Sequence, residues 1–249
     1  MTSNLRLFIP GQIVGMSRIQ LEKPDIHYLL NVMKVKNQEE INIFNERDGE
    51  WVAKVNILTK ENVFLLPIKN TRIDITASKV VLAFALLKRQ NNSLVIQKAT
   101  ELNVREIYPM ITERTIVKTA NIEKLKLVAK EAAEQCGRLN IPKIHNTLNT
   151  DELIRKSKQN NIILCNNKEE SEHILKLQTK IDYKKDSVIL IGPEGGFSQN
   201  EFVYLNSSAN VFNVSLGKLT LRAETAAITS LFLIQAMYNL NRNDKKSGS

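Results

Sequence analysis

Polar and apolar positions change rhythm along this chain at about residue 72. Before that point the apolar runs are short and often alternate with polar residues. Ile41 and Ile43 alternate in this way, as do Trp51, Ala53, Val55 and Ile57, and Asp48-Gly49 lies between the two runs. A period of two on either side of Asp-Gly predicts a β-hairpin. Leu5 to Ile9 predicts a strand before the Pro10-Gly11 turn, and Val63 to Leu66 predicts another that ends at Pro67. From Glu22 to Met33 the pattern is helical, with Pro24 in the first turn and Ile26, Leu29, Leu30 and Met33 on one face. Several short strands with one helix predict a small barrel over residues 1–72.

After residues 70–76 the runs lengthen and become continuous. Strands are predicted at Val80 to Leu86, Ile107 to Met110, Ile162 to Cys165, Val188 to Ile191 and Val211 to Leu216. Helical stretches alternate with them: Ser93 to Leu102, Leu125 to Cys136, Asp151 to Ser157, Glu169 to Leu177, one after Ser198, and a long one from about Glu224 to Leu240. Repeated strand–helix units with fully apolar strands predict a parallel sheet covered on both faces. Leu125, Val128, Ala129, Ala132, Ala133 and Cys136 form one stripe ended by Gly137, which places Cys136 in the core. The last helix is apolar around much of its circumference and must be buried in the core or against a second copy. The expected division is a β-rich module over 1–72, an α/β domain over 73–241 and a polar, disordered tail over 242–249.

Composition narrows the class of partner. The 249 residues carry a net charge of +9, with 12 Lys/Arg against 6 Asp/Glu over 79–143 but 10 against 8 over 1–72. That excess favours a polyanion, RNA above all. Cys136 and Cys165 form no C-x-x-C pair, and His27, His145 and His173 are far apart, so neither a disulfide framework nor a metal site is expected. Val80 to Leu87 is too short to cross a bilayer and MTSNLRLFIP lacks a signal-peptide core. The expectation is a cytoplasmic protein with no membrane association.

The chemistry concentrates in VILIGPEGGFS, Val188 to Ser198. A buried strand breaks into a glycine-rich loop, and Ser198 with Glu201 then opens a helix as a capping box. Such a loop leaves backbone N–H groups free for a nucleotide-like ligand. It is neither G-x-G-x-x-G nor a Walker loop, and Glu194 would repel a phosphate. A neutral or cationic ligand suits it, S-adenosylmethionine among them. A tight strand-to-helix connection, with glycines serving only left-handed backbone, is the other reading.

Together with LGKLTLRAETA, Leu216 to Ala226, this stretch resembles the bacterial small-subunit ribosomal RNA uridine-N3 methyltransferases, the RsmE family of the SPOUT superfamily. RLFIPGQI, IQKATELNVREIYPMITERT and EAAEQCGR agree, in order, so the resemblance spans nearly the whole chain. It implies an α/β fold: a C-terminal SPOUT methyltransferase domain with a deep trefoil knot and a small N-terminal PUA-like β-barrel that binds RNA. Periodicity alone suggests a Rossmann-like sheet, but the dinucleotide fingerprint is missing.

The resemblance also implies a donor pocket for S-adenosylmethionine, built from three loops, the segment after Ile162 to Cys165, the GPEGG loop and the stretch from Leu216 to Arg222, and including Leu164, Gly192, Gly196, Leu216, Gly217 and Leu221. Methylating N3 of a uridine requires loss of its imide proton, and the resulting charge spreads onto the flanking carbonyl oxygens. A cation beside those oxygens stabilises the transition state. Arg222 is the candidate, with Glu194 or Glu224 as base, as partner of the donor's ammonium, or to orient Arg222; Glu224 could also simply pair with Arg222. Neither a metal nor a covalent enzyme intermediate is needed. Candidate RNA contacts are Arg6, Lys34 and Lys36 in the first module and Lys88, Arg89, Arg114 and Arg138 in the second. Two departures from the family pattern are Leu219, where relatives carry a basic residue, and Lys34, where they carry arginine; lysine lacks the bidentate fork. The implied protein is a homodimer acting on small-subunit ribosomal RNA, free or in the assembled small ribosomal subunit. The alternatives are another SPOUT enzyme for tRNA or large-subunit RNA, or a non-catalytic RNA-binding assembly factor.

Overall fold

The structure, a computed structural model, describes residues 5–73, 77–88, 91–167 and 171–247, with side chains as far as Arg242. It divides into two compact units, Met1–Thr76 with Ala133–Ile141, and Ala77–Ala132 with Pro142–Ser249.

The first unit is built on a mixed five-stranded sheet in the order β1 (Arg6–Phe8), β3 (Glu40–Asn45), β4 (Gly49–Thr59), β5 (Asn62–Arg72) and β2 (Ile19–Gln20). The predicted hairpin joins β3 to β4. Gly49 there has φ +78°, and a Cβ would fall 2.2 Å from the Arg72 carbonyl oxygen, so only glycine fits. The inward positions Ile41, Ile43, Ala53, Val55, Val63 and Leu65 pack with Ile26 and Leu29. These last two come from helix α1 (Lys23–His27) and the π-helical turn Tyr28–Val32 that extends it. Met33 does not join them; it lies beyond the turn and is exposed. β5 does not stop at Pro67 but runs on to Arg72. Proline is accommodated because the β4–β5 register shifts beside its partner Ala53.

Arg6 is not available to a phosphate, contrary to expectation. It is buried, and Nε donates to Glu50 at 2.7 Å. Nη1 donates to the carbonyls of Ala133 (2.8 Å) and Glu134 (3.2 Å), and Nη2 to that of Arg138 (2.9 Å). Its guanidinium also lies 4.0 Å from the Phe44 ring centroid. These bonds tie segment 133–141 into the first unit, where Ala133 and Leu139 pack on Phe44. Cys136 is exposed rather than in the core. Gly137, at φ +80°, turns the chain there, and Leu139 beyond it is buried with Ala133 and Phe44.

The second unit is an all-parallel seven-stranded sheet. Its strands are β6 (Val80–Ala85), β7 (Glu106–Met110), β8 (Lys143–Ile144), β9 (Asn161–Cys165), β10 (Glu172–His173), β11 (Ser187–Ile191) and β12 (Val211–Ser215), in the order β10-β12-β9-β11-β6-β7-β8. Every residue of β6 and β11 is buried, which explains their unbroken apolar runs. On one face Val81, Ala83, Ile162, Leu164, Val188 and Leu190 pack against Leu153 and Ile154 of α4 (Thr150–Lys156) and Leu205 of α5 (Gln199–Asn206). α6 (Ala223–Ser247) packs on β6 and β11 and against α2 (Asn91–Glu101). It continues to Ser247, into the stretch expected to be a disordered tail. α3 (Ile122–Cys136) follows β7. Instead of the helix expected at 169–177, residues 172–179 form β10 and a 3-10 turn, Ile174–Thr179. No helix among the described residues is long and apolar enough to cross a membrane.

Candidate active site

β9, β11 and β12 end level with one another. Ile191 pairs with Cys165, and Val214 with Cys165 on the other side. The loops that leave them therefore emerge together at the carboxyl edge of the sheet, where parallel α/β folds place their ligands. With the first turn of α6 and Asn91 of α2 they enclose a cavity of about 680 Å³.

The β11 loop lines it from Gly192 to Phe197. Ser198 caps α5 as expected, its hydroxyl accepting from the Glu201 N–H while the Glu201 carboxylate accepts from the Ser198 N–H. Gly192 lies against the Phe197 ring, and Gly196, at φ +66°, closes the turn by donating to the Pro193 carbonyl at 2.8 Å. Gly192, Gly196, Leu216 and Leu221 line the cavity. Leu164 does not, because its side chain is wholly buried between sheet and helices; the next residue, Cys165, reaches the cavity instead. Nor does Gly217, which at φ +135° forms a turn bonded to the Ser215 hydroxyl.

Arg222, Glu194 and Glu224 all line the cavity. Arg222 precedes α6, and its carbonyl accepts the Ala226 N–H at 2.8 Å, which starts the helix. Glu224, in the first turn of α6, accepts from the Asn91 amide at 3.4 Å. Glu194 accepts from the Lys88 backbone N–H at 3.4 Å. Arg114 joins them, its Nη1 donating to the Gly195 carbonyl at 3.0 Å. Among the described residues, two arginines thus share the cavity with two carboxylates, a surface that can hold both a cationic ligand and a developing anion.

Of the other expected RNA contacts, Lys88, Lys34 and Lys36 are exposed, the latter two in the first unit. Arg89 lies outside the described residues. Arg138 is not free to grip a polyanion. It is half-buried, Nε and Nη2 donate to the Asn140 side chain at 3.1 and 2.9 Å, and burial brings its pKa down to about 10.

The segment after Ile162 to Cys165 was expected to form one wall, but none of its residues beyond the strand was named. Asn167 donates to the Leu219 carbonyl at 3.1 Å and so ties the β9 loop to the β12 loop, while Asn166 donates to Asn213 at 2.9 Å. Their position directly after a buried strand was the available clue. Phe197 lay inside the GPEGGFS stretch without a role of its own, and Asn91 carried no clue, since it waits on a three-dimensional neighbour. Cys165 lines the cavity with its thiol pushed up to about 12 by burial, a shift the Ser230 hydrogen bond partly opposes. That is no nucleophile at neutral pH.

Comparison with known proteins agrees with this geometry. An RNA methyltransferase domain family matches residues 75–235, and an RNA methyltransferase PUA domain family matches residues 21–68. The ribosomal RNA small subunit methyltransferase E of Rickettsia conorii is 33% identical over 93% of this chain and 95% of its own. Among solved structures, a putative methyltransferase from Legionella pneumophila, in complex with bound S-adenosylmethionine, has TM-score 0.84 and 29% identity, covering 93% of this chain and 97% of that one. A ribosomal RNA small subunit methyltransferase E from Neisseria gonorrhoeae, at TM-score 0.83 and 24% identity over 94% and 97%, shares the fold. With both domain families matched in order and a relative this similar along nearly its whole length, the chain belongs to the ribosomal RNA small subunit methyltransferase E family of SPOUT RNA methyltransferases.

Proposed function

We propose that this protein transfers a methyl group from S-adenosylmethionine to N3 of a uridine in small-subunit ribosomal RNA. The observation that carries the reading is the convergence of the GPEGG loop, the β12 loop and Arg222 on one cavity at the strand ends. Its volume, about 680 Å³, falls in the range of small-molecule sites. The residues fit the donor. Gly196, where a Cβ would meet nothing within 4 Å, leaves backbone open to the ligand, and Glu194 and Glu224 complement a ligand bearing ammonium and sulfonium charge. When bound, the donor supplies an electrophilic methyl group on sulfur.

The rest falls to the protein. Arg222 offers its guanidinium to the uracil oxygens that gain charge as the N3 proton leaves. Among the described residues, Glu194 and Glu224 are the carboxylates at hand to take that proton or to hold the donor's ammonium. Because the N3 edge of a paired uridine is hidden, the base must be unpaired or flipped outward, which Arg114 and Lys88 favour by gripping flanking phosphates. Lys34 and Lys36 extend the phosphate contacts in the first unit. The protein works as a homodimer in the cytoplasm, where its substrate is made. The dimer reading is supported by Phe232 and Leu240, apolar side chains of α6 that are 60% and 54% exposed in the single chain.

The test is methyl transfer from labelled S-adenosylmethionine to small ribosomal subunits that lack the modification, followed by nucleoside analysis. Label in 3-methyluridine is expected. Label in another nucleoside would assign a different RNA target, and tight RNA binding without transfer would make the protein a binding factor.

A further inference from the structure

Glu201 makes more bonds than a helix cap requires. It is 8% exposed in the first turn of α5, and its carboxylate gathers donors from three segments of the second unit. Oε2 accepts the Ser198 N–H at 3.0 Å, which completes the capping box. Oε1 accepts the Glu113 N–H at 3.0 Å and the Thr150 hydroxyl at 3.0 Å.

The Glu113 bond reaches a turn that is itself locked. Thr112 N–H donates to the Thr115 hydroxyl at 2.9 Å and Thr115 N–H to the Thr112 carbonyl at 3.1 Å, with both threonines buried. Arg114 projects from this turn into the cavity, and its Nη1 returns to the Gly195 carbonyl at 3.0 Å. A closed circuit results: from Glu201 to Ser198, back along the loop to Gly195, across to Arg114, and through Glu113 to Glu201. Each bond in it holds the donor loop and the arginine-bearing turn at a set separation.

We infer that Glu201 is a positioning residue, which acts through Arg114 to hold the 112–115 turn and the GPEGG loop as one unit around the methyl-transfer site. The RNA side of this inference rests on the proposed function; the donor-binding side does not need it. A glutamine cannot substitute. Its single carbonyl oxygen can face Glu113 and Thr150 or face Ser198, and the amide nitrogen then meets an N–H donor at the other end.

The experiment is a double-mutant cycle of Glu201→Gln and Arg114→Ala. It is read as the Kd for S-adenosylmethionine by calorimetry and as KM and kcat on small ribosomal subunits. Loss of one buried charge-assisted hydrogen bond predicts about a tenfold weakening in E201Q, and the double variant should be no worse than the more impaired single one. Losses that multiply would overturn the inference, as would a lowered Tm with both functional readouts unchanged. If E201Q fails to fold, Thr150→Val removes one bond of the same carboxylate and must show a smaller loss, again coupled to Arg114. Wild-type protein that binds the donor but transfers no methyl group would overturn the proposed function alone, because the binding arm of the cycle still decides on Glu201.

Discussion

A Cβ added at Gly192 would lie 2.9 Å from the Phe197 ring, closer than carbon atoms pack. The ring lines the same cavity and is itself packed against the core, so the substitution cannot be absorbed without moving the cavity wall. Gly192→Ala is therefore expected to weaken S-adenosylmethionine binding at least about tenfold, with overpacking costing about 1–3 kcal/mol of stability. Gly196→Ala should behave differently. No atom would crowd its Cβ, but φ is +66°, so about 1 kcal/mol of backbone strain is expected with a smaller effect on affinity. Calorimetric titration and denaturant unfolding of the two variants separate these effects.

Arg6→Ala tests whether this arginine serves the fold rather than RNA. Removing it strands Glu50, which is 13% exposed, and releases three backbone carbonyls. Breaking such a pair costs about 3–5 kcal/mol. The lower end is expected here because Arg72 remains 3.5 Å from Glu50. Urea unfolding should show this loss, while the folded protein keeps its affinity for S-adenosylmethionine.

The contrast between Arg6 and Arg222 shows where sequence reading succeeds. Arg222 sits between an apolar strand and a helix, inside a motif whose geometry is local, and it does line the cavity. Arg6 bonds to carbonyls 127 to 132 positions away, and no local pattern encodes that. The strands β6, β9 and β11 were legible because burial on both faces leaves an unbroken apolar run. The two-residue strands β8 and β10 were not, being too short to show a period. Likewise Ser198 and Glu201 announced a capping box, but the second role of Glu201 depends on Glu113 and Thr150, which only the fold brings near.

Alkaline pH should destabilise the protein in part through Cys165. Its thiol rises from 9.0 to about 12 on folding because burial disfavours the thiolate. The folded state thus holds the proton more tightly than the unfolded one. This contribution is fully present below about pH 9 and is lost as pH rises toward 12. Tyr108, raised from 10.0 to about 12 with burial as the largest cause, adds a loss of the same sign. Cys165→Ser should make the decline between about pH 9 and 10.5 shallower. At about pH 8, iodoacetamide should label the exposed Cys136 and spare Cys165, as mass spectrometry of the alkylated protein will show.

The central claim is that Arg222 stabilises charge on the uracil during transfer rather than holding the donor. Its most direct test is single-turnover methyl transfer to unmodified small subunits at saturating S-adenosylmethionine, comparing wild type with Arg222→Ala. Loss of a preorganised charge-stabilising group predicts a rate about 10²–10³-fold lower, with 3-methyluridine still the product and the Kd for the donor nearly unchanged. An undiminished rate, or a loss explained wholly by weaker donor binding, would contradict the account.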